Sequence, residues 1–171
     1  MERYMLPKAH PRTETPFTLG LMSNVLSSYI DHSQECMYVF LLDSCDRIIN
    51  QEELYRGTHN NMSVSARDVC RFALYDGADQ VVLAHNHPDG SVEPSPHDIY
   101  VTALLDVALD VVDIKLKEHY IIGDINTNKE EWCRGIKDKY PDGIQDALKN
   151  IGLSIDMSTL CETSLGGLIN E

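Results

Sequence analysis

Apolar positions recur at helical intervals over residues 17–33, "FTLGLMSNVLSSYIDHS", where Leu19, Met22, Leu26, Tyr29 and Ile30 fall on one stripe and predict an amphipathic helix. The period then shortens. "MYVFLL" and "RIINQEELYRG" read as two strands separated by "DSCD", four residues of turn chemistry, so a β-hairpin is expected, with Gly57 breaking its second arm. Ser65 is placed to cap a helix over "ARDVCRFALYD", with Asp68 at the third position of a capping box and Gly77 as the stop. "DQVVLAH" follows as a core strand. Beyond a loop, Ser95 is a natural N-cap for "PHDIYVTALLDVALDVV", and Pro96 occupies the first helical position, where its missing N–H costs nothing. "IKLKEHYIIG", residues 114–123, alternates as a strand, and the remainder reads as one or two helices and a polar tail. This order predicts an α/β domain, a mixed sheet flanked by helices.

Composition narrows the setting. A chain of 171 residues that is 43% hydrophobic fits one globular domain with a single main core. Its 27 acidic against 14 basic residues leave a formal charge of −13. Such a surface repels phosphate backbones, which argues against nucleic acid as a partner. No apolar run approaches the ~18 residues of a membrane span, and the Pro-broken start "MERYMLPKAHPRTETP" is too polar for a signal peptide, so a cytoplasmic protein is expected. Cys36, Cys45, Cys70, Cys133 and Cys161 are scattered, with no C-x-x-C pair, and suggest neither a disulfide framework nor a zinc finger.

The chemistry gathers in "HNHPDGSVEPSPHD", residues 85–98. Side chains two apart on an extended segment share a side, so His85 and His87 can aim both imidazoles at one point beyond the buried strand. Pro88, Asp89 and Gly90 turn the chain, and the loop is short enough to return Asp98, on the first turn of the next helix, to that point. A His, His, Asp triple that leaves one tetrahedral corner for water describes a catalytic zinc, whereas structural zinc is normally closed by four ligands and favours cysteine. Hydrolysis is the natural consequence, with a carboxylate to take the proton of water and a donor to hold the developing oxyanion. Glu52, Glu53 and Ser95 are candidates. Taken singly, each histidine is more often packing or surface, and Ser95 with Asp98 is a plain capping box; the conjunction carries the reading. His97, adjacent to Asp98 on a helix, points about 100° away and is assigned to the surface. His10, His32, His59 and His119 lack partners at ligand spacing. The literal "HNH" is an accidental match to the HNH endonucleases, and the H-x-E and P-C-x-x-C of zinc deaminases are missing.

His85-x-His87, seven residues, Ser95, two residues and Asp98 match the JAMM signature of MPN-domain metalloproteases. With "EELYRGT", "SVSARDVCRFAL" and "EHYIIGD", the chain resembles in particular the bacterial RadC family over roughly residues 36–124. The resemblance implies a single-domain MPN/JAB-like fold. It also implies one zinc ion per chain held by His85, His87 and Asp98, with Ser95 as donor on the oxyanion side and a glutamate of "QEELYRGT" as general base. Glu52 is preferred over Glu53: on a strand it shares a face with Ile48 and Leu54, while Glu53 lies opposite with Gln51 and Tyr55, although Ile49 breaks the alternation. RadC-like proteins place the catalytic acid three residues before the aromatic that Tyr55 matches, which supports the same choice.

Relatives that cleave isopeptide bonds of ubiquitin-like tags imply a protein or peptide substrate, including ubiquitin-like ones. The expected function is therefore zinc-dependent hydrolysis of peptide or isopeptide bonds. Two alternatives stand beside it: a DNA-repair or mobile-element accessory protein carrying a RadC-like domain, and a non-catalytic MPN scaffold. A homo-oligomer is left open. The expected organisation is an N-terminal segment with a helix (1–35), a RadC-like JAMM/MPN core (36–124) and a helical C-terminal extension (125–171). The first segment is too short and acidic for the helix-hairpin-helix module of longer RadC proteins.

Overall fold

The computed structural model describes residues 16–30, 33–57, 64–123 and 132–150. His10, His32, His59, Cys161 and the expected polar tail lie outside them. A five-stranded mixed sheet forms the centre, in the order β2-β1-β3-β4-β5. The strands are β1 (Glu35–Leu42), β2 (Ile48–Gly57), β3 (Gln80–Asn86), β4 (Lys115–Ile122) and β5 (Cys133–Gly135). The β3–β4 pair is parallel; the others are antiparallel. Cys36 to Leu42 and Val81 to Asn86 are wholly buried, as expected for strands with neighbours on both edges and helices on both faces.

Alternation sorts each strand between two cores. Met37, Val39, Leu41, Val81 and Leu83 pack beneath the helices α2 (Ala66–Asp76) and α3 (Pro96–Asp110), which contribute Val69, Ala73, Val101, Leu105 and Leu109. On the opposite face Cys36, Tyr38, Phe40, Leu42, Val82 and Ala84 pack with Met22 and Leu26 of α1 (Leu19–Leu26). The predicted N-terminal helix is thus shorter than its apolar stripe. Thr18 caps α1 by accepting from the Leu21 amide at 3.1 Å, and Ser27 closes it.

The hairpin turns at Asp43–Arg47, where one Asp43 carboxylate oxygen accepts from the amides of Cys45 and Arg47, each at 2.9 Å. Asp46 takes the left-handed conformation there, at φ 63°. Gly77 ends α2 at φ 65°, as expected, but the Ser65 side chain makes no cap bond. The Asp68 amide donates instead to the Ser65 carbonyl at 2.9 Å, which satisfies that free donor, and the Asp68 carboxylate pairs with Arg71 at 3.0 Å.

Residues 132–150 join the same body. β5 pairs with β4, while α4 (Ile136–Lys139) and α5 (Pro141–Asn150) bring Ile136, Ile144 and Leu148 against Ala103 of α3 and Ile121 of β4. Glu118 fixes this joint by accepting from the amides of Lys137 at 2.8 Å and Asp138 at 3.0 Å. A Cβ at position 135 would sit 2.7 Å from the Glu118 carboxylate, so a side chain there would displace it. Among the described residues no helix is long and apolar enough to cross a membrane. Cys36, Cys45, Cys70 and Cys133 form no disulfide.

Candidate metal centre

The C-terminal end of β3 delivers both predicted histidines. His85 is wholly buried, and His87, just past the last ladder pair, is partly exposed. Their Nε2 atoms converge to 3.0 Å. Because β1 runs antiparallel with Met37 opposite His85, a step of two along each strand brings Glu35, at the start of β1, beside His87 on the same face. Asn86, between the histidines, points to the other side. Its Oδ1 accepts from the Cys36 amide at 3.1 Å and its Nδ2 donates to the Gln34 carbonyl at 2.9 Å, bracketing Glu35 on both sides.

The loop to α3 is held by local bonds. Gly90 turns at φ 74°, a conformation that L side chains rarely adopt. Asp89 accepts from the Ser91 amide at 2.9 Å, and Ser91 Oγ from the Glu93 amide at 3.1 Å. Glu93 then ties the loop to the C-terminal elements, accepting from Arg134 and from the Tyr140 hydroxyl. Pro96 opens α3, and the predicted capping box is complete. The Asp98 amide donates to Ser95 Oγ at 3.2 Å, while Asp98 Oδ2 accepts from the Ser95 amide at 2.7 Å and its hydroxyl at 2.6 Å. The box also aims Asp98, only 2% exposed, back at β3: its Oδ1 lies 3.4 Å from His85 Nε2 and its Oδ2 3.5 Å from His87 Nε2.

Burial alone would raise the Asp98 pKa, but the contacts with His85, His87 and Ser95 outweigh it and hold the carboxyl well below its usual range. The same contact with Asp98, ahead of the opposing effect of burial, raises the His87 pKa. A further histidine stands behind this group. His119, on β4 and wholly buried, sets Nε2 2.8 Å from His85 Nδ1 and Nδ1 2.7 Å from Thr102 Oγ1. Burial holds its pKa well below the ordinary histidine value.

Glu35, His85, His87 and Asp98 therefore form a possible metal-binding group, with donor atoms all within 4.8 Å of one another. Two imidazole nitrogens and two carboxylates are a donor set that suits zinc and other borderline divalent cations. Their mutual approach fits a cation at their centre.

Of the sequence candidates, His85, His87, Asp98 and Ser95 are brought together, and His97 is exposed. Glu52, the expected general base, lies on β2. Glu52 pairs with Val39, which pairs with Leu83, so it shares the sheet face of His85 but sits two strand spacings, roughly 9–10 Å, from Leu83 across β1 and two residues further from His85. The register puts Glu35 beside the histidines instead. The expected face partners also change. Register shifts in β2 leave Ile48 on the α1 side and Tyr55 on the Glu52 side. Glu53 does lie opposite, paired with Tyr38, and its carboxylate is gripped by Arg56 at 2.7 and 2.9 Å. Sequence reasoning missed Glu35 and His119. Glu35 carried one usable signal, its place two before Met37 in the alternation that faces β3; His119 carried none until β4 was paired with β3.

A model of the RadC-like JAB domain matches residues 20–130. A UPF0758 protein of Vibrio campbellii (strain ATCC BAA-1116) is 43% identical over 126 residues, 72% of this chain and 55% of its own length. A UPF0758 protein of Marinomonas sp. (strain MWYL1) is 44% identical over 100 residues, 58% of this chain and 45% of its own. A third, of Aromatoleum aromaticum, is 47% identical over 88 residues, 52% and 39% of the two chains. The chain thus spans about half the length, or less, of these curated relatives. With a family model covering well over half its residues, and the metal-binding group inside the matched segment, the chain belongs to the RadC-like JAB domain family.

Proposed function

We propose that the chain is a zinc-dependent hydrolase of peptide or isopeptide bonds. The observation that carries this reading is the convergence of Glu35, His85, His87 and Asp98 at one end of β3. His85, His87 and Asp98 would hold the zinc, one ion per chain. When bound, such an ion polarises a carbonyl and lowers the pKa of a water from 15.7 toward ~7.

The protein's own groups do the rest. Glu35, partly exposed at the mouth of the group, accepts the proton of the attacking water on a carboxylate oxygen and returns it to the leaving amine. This role passes from Glu52 to Glu35 because a base must lie within hydrogen-bond reach of the proton it takes. The Ser95 hydroxyl, which donates to Asp98 Oδ2, is exposed enough to turn its hydrogen toward a developing oxyanion. Asp98, whose Oδ2 accepts from the Ser95 amide and hydroxyl and faces His87, remains a carboxylate rather than competing for the proton. The reading is favoured over a nucleic-acid accessory role by the net charge of −13.

Purified full-length chain should carry about one zinc by elemental analysis, and His87→Ala should carry far less, since losing one of three ligands weakens binding sharply. The zinc-loaded protein should cleave a member of a panel of peptides and ubiquitin-like isopeptide conjugates, and a chelator should abolish that cleavage. Equal zinc in both proteins would sink the ligand assignment. Full zinc with no cleavage across the panel would point to the scaffold reading.

A further inference from the structure

We propose that His119 is a positioning residue which, together with Thr102, locks His85 in the tautomer carrying its hydrogen on Nδ1, so that Nε2 presents a lone pair to the centre of the metal-binding group. The inference rests on the metal reading above but concerns a residue behind the ligands.

The direction of the hydrogen-bond chain is fixed at its far end. Thr102 Oγ1 lies 2.6 Å from the Asp98 carbonyl oxygen, and a carbonyl has no hydrogen to give, so the threonine hydroxyl must donate there. Its single hydrogen is then committed, and across the 2.7 Å to His119 Nδ1 the oxygen can only accept. His119 therefore carries its hydrogen on Nδ1. Being wholly buried, with His85 and Thr102 as its ring partners, the imidazole is neutral, and its Nε2 is a bare acceptor. Across the 2.8 Å to His85, the donor must be His85 Nδ1–H. An imidazole holding that hydrogen has none on Nε2, the atom that faces His87 and Asp98.

The chain closes on itself. It begins at one candidate ligand, on β3, passes through β4, and ends on the backbone of another, Asp98 in the first turn of α3. His119 thus couples the tautomer of His85 to the placement of the helix that carries Asp98. The other tautomer of His85 would put a hydrogen where a cation must sit and would leave two lone pairs facing each other in a dry interior.

The first measurement is made on the metal-free full-length chain, with no variant needed. Nitrogen-15 NMR of the histidine rings at about pH 8 should find both His85 and His119 with hydrogen on Nδ1. Hydrogen on His85 Nε2 would overturn the proposal. The second measurement is zinc affinity by competition with a chromophoric chelator. His119→Phe should bind zinc about 10- to 100-fold more weakly, the range typical of losing such a partner. His119→Gln, whose amide oxygen can still accept from His85 Nδ1–H, should recover most of the loss. Equal affinities in the parent and both variants would also overturn the proposal. Should His119→Phe fail to fold, Thr102→Val serves. Without its acceptor His119 re-forms as the Nε2–H tautomer, drives the His85 hydrogen onto Nε2, and weakens zinc by a similar factor; unchanged affinity and unchanged His85 tautomer in that variant would refute the coupling. A parent protein that binds no zinc would defeat the proposed function, while the metal-free tautomers would still decide the role of His119.

Discussion

The two ends of β3 carry polar clusters built around aspartates, of opposite character. At the N-terminal end, Gln80 Nε2 donates to the Asp43 carbonyl at 3.2 Å and to Asp46 Oδ1 at 2.7 Å, Lys117 reaches Asp46 at 2.5 Å, and Arg47 pairs with Asp43 at 3.0 Å. The Lys117 and Asp46 side chains are 33% and 42% exposed, so water competes for their ion pair. At the C-terminal end His85 and Asp98 are 0% and 3% exposed, and each polar atom depends on a protein partner. An aspartate carboxylate that pairs at the surface at one end joins a buried network at the other. What separates them is the helices and loop that exclude solvent.

The sharpest way to break this contrast is to change the acid placed next to the buried end. Glu35→Gln should retain zinc and fold but lower the hydrolysis rate by at least the ~10²-fold typical of general-base catalysis. Glu52→Gln, across β1, should stay near the parent rate. Both variants would be assayed on whichever substrate the panel identifies. The opposite ranking would return the role to Glu52, and two fully active variants would remove the glutamate base altogether.

Thr102→Val probes how much burial adds. The substitution keeps the shape but leaves His119 Nδ1 without a hydrogen-bond partner in a dry interior, and should cost about 1–3 kcal/mol in denaturant unfolding of the metal-free chain. A loss below ~0.5 kcal/mol would mean that the buried end is as forgiving as the exposed one.

The pH dependence of the metal-free chain sharpens the comparison further. His87 has a pKa raised by Asp98, so its contribution to stability is fully present below the ordinary histidine value of ~6.5 and is lost as pH rises through the folded value. His119, depressed by burial, acts with the opposite sign. Its contribution is present above ~6.5 and is lost as pH falls toward its folded value. Asp98, depressed below the carboxylate range, adds a constant in this interval. Unfolding free energy measured in chelator from pH 5 to 8 should therefore pass through a maximum near 6.5. In His119→Phe the fall on the acid side should flatten; an acid limb unchanged in that variant would show that another group produces it.

Much of the fold was legible because its signals are local. Turn residues at Asp43–Arg47, Gly77 at a left-handed position and the Ser95/Asp98 box each act within a few residues of where they stand. The same locality made His85, His87, Ser95 and Asp98 readable as a set. What escaped depends on strand pairing. Glu35 reaches the group only because β1 runs antiparallel to β3 with Met37 opposite His85, and His119 only because parallel β4 sets it opposite Leu83. Face alternation puts Glu52 on the sheet face of His85 but does not say that β1 lies between them. Irregular register in β2 further moved Ile48 to the opposite core.

The smallest effect belongs to the exposed end. Lys117→Ala removes the ion pair with Asp46 but leaves Gln80 donating to the same carboxylate oxygen, so no charge is stranded away from water. Exposed pairs contribute about 0.2–1 kcal/mol and are screened by salt. The variant should therefore lose no more than that at low ionic strength, with the difference shrinking toward zero near 1 M salt and zinc affinity unchanged. Paired denaturation curves at low and high salt, with a zinc titration beside them, would show whether both hold. A salt-independent loss larger than 1 kcal/mol would mean that this end, too, is sealed from solvent. A change in zinc affinity would mean that β3 and β4 transmit strain along their length, so that the two clusters are parts of one network.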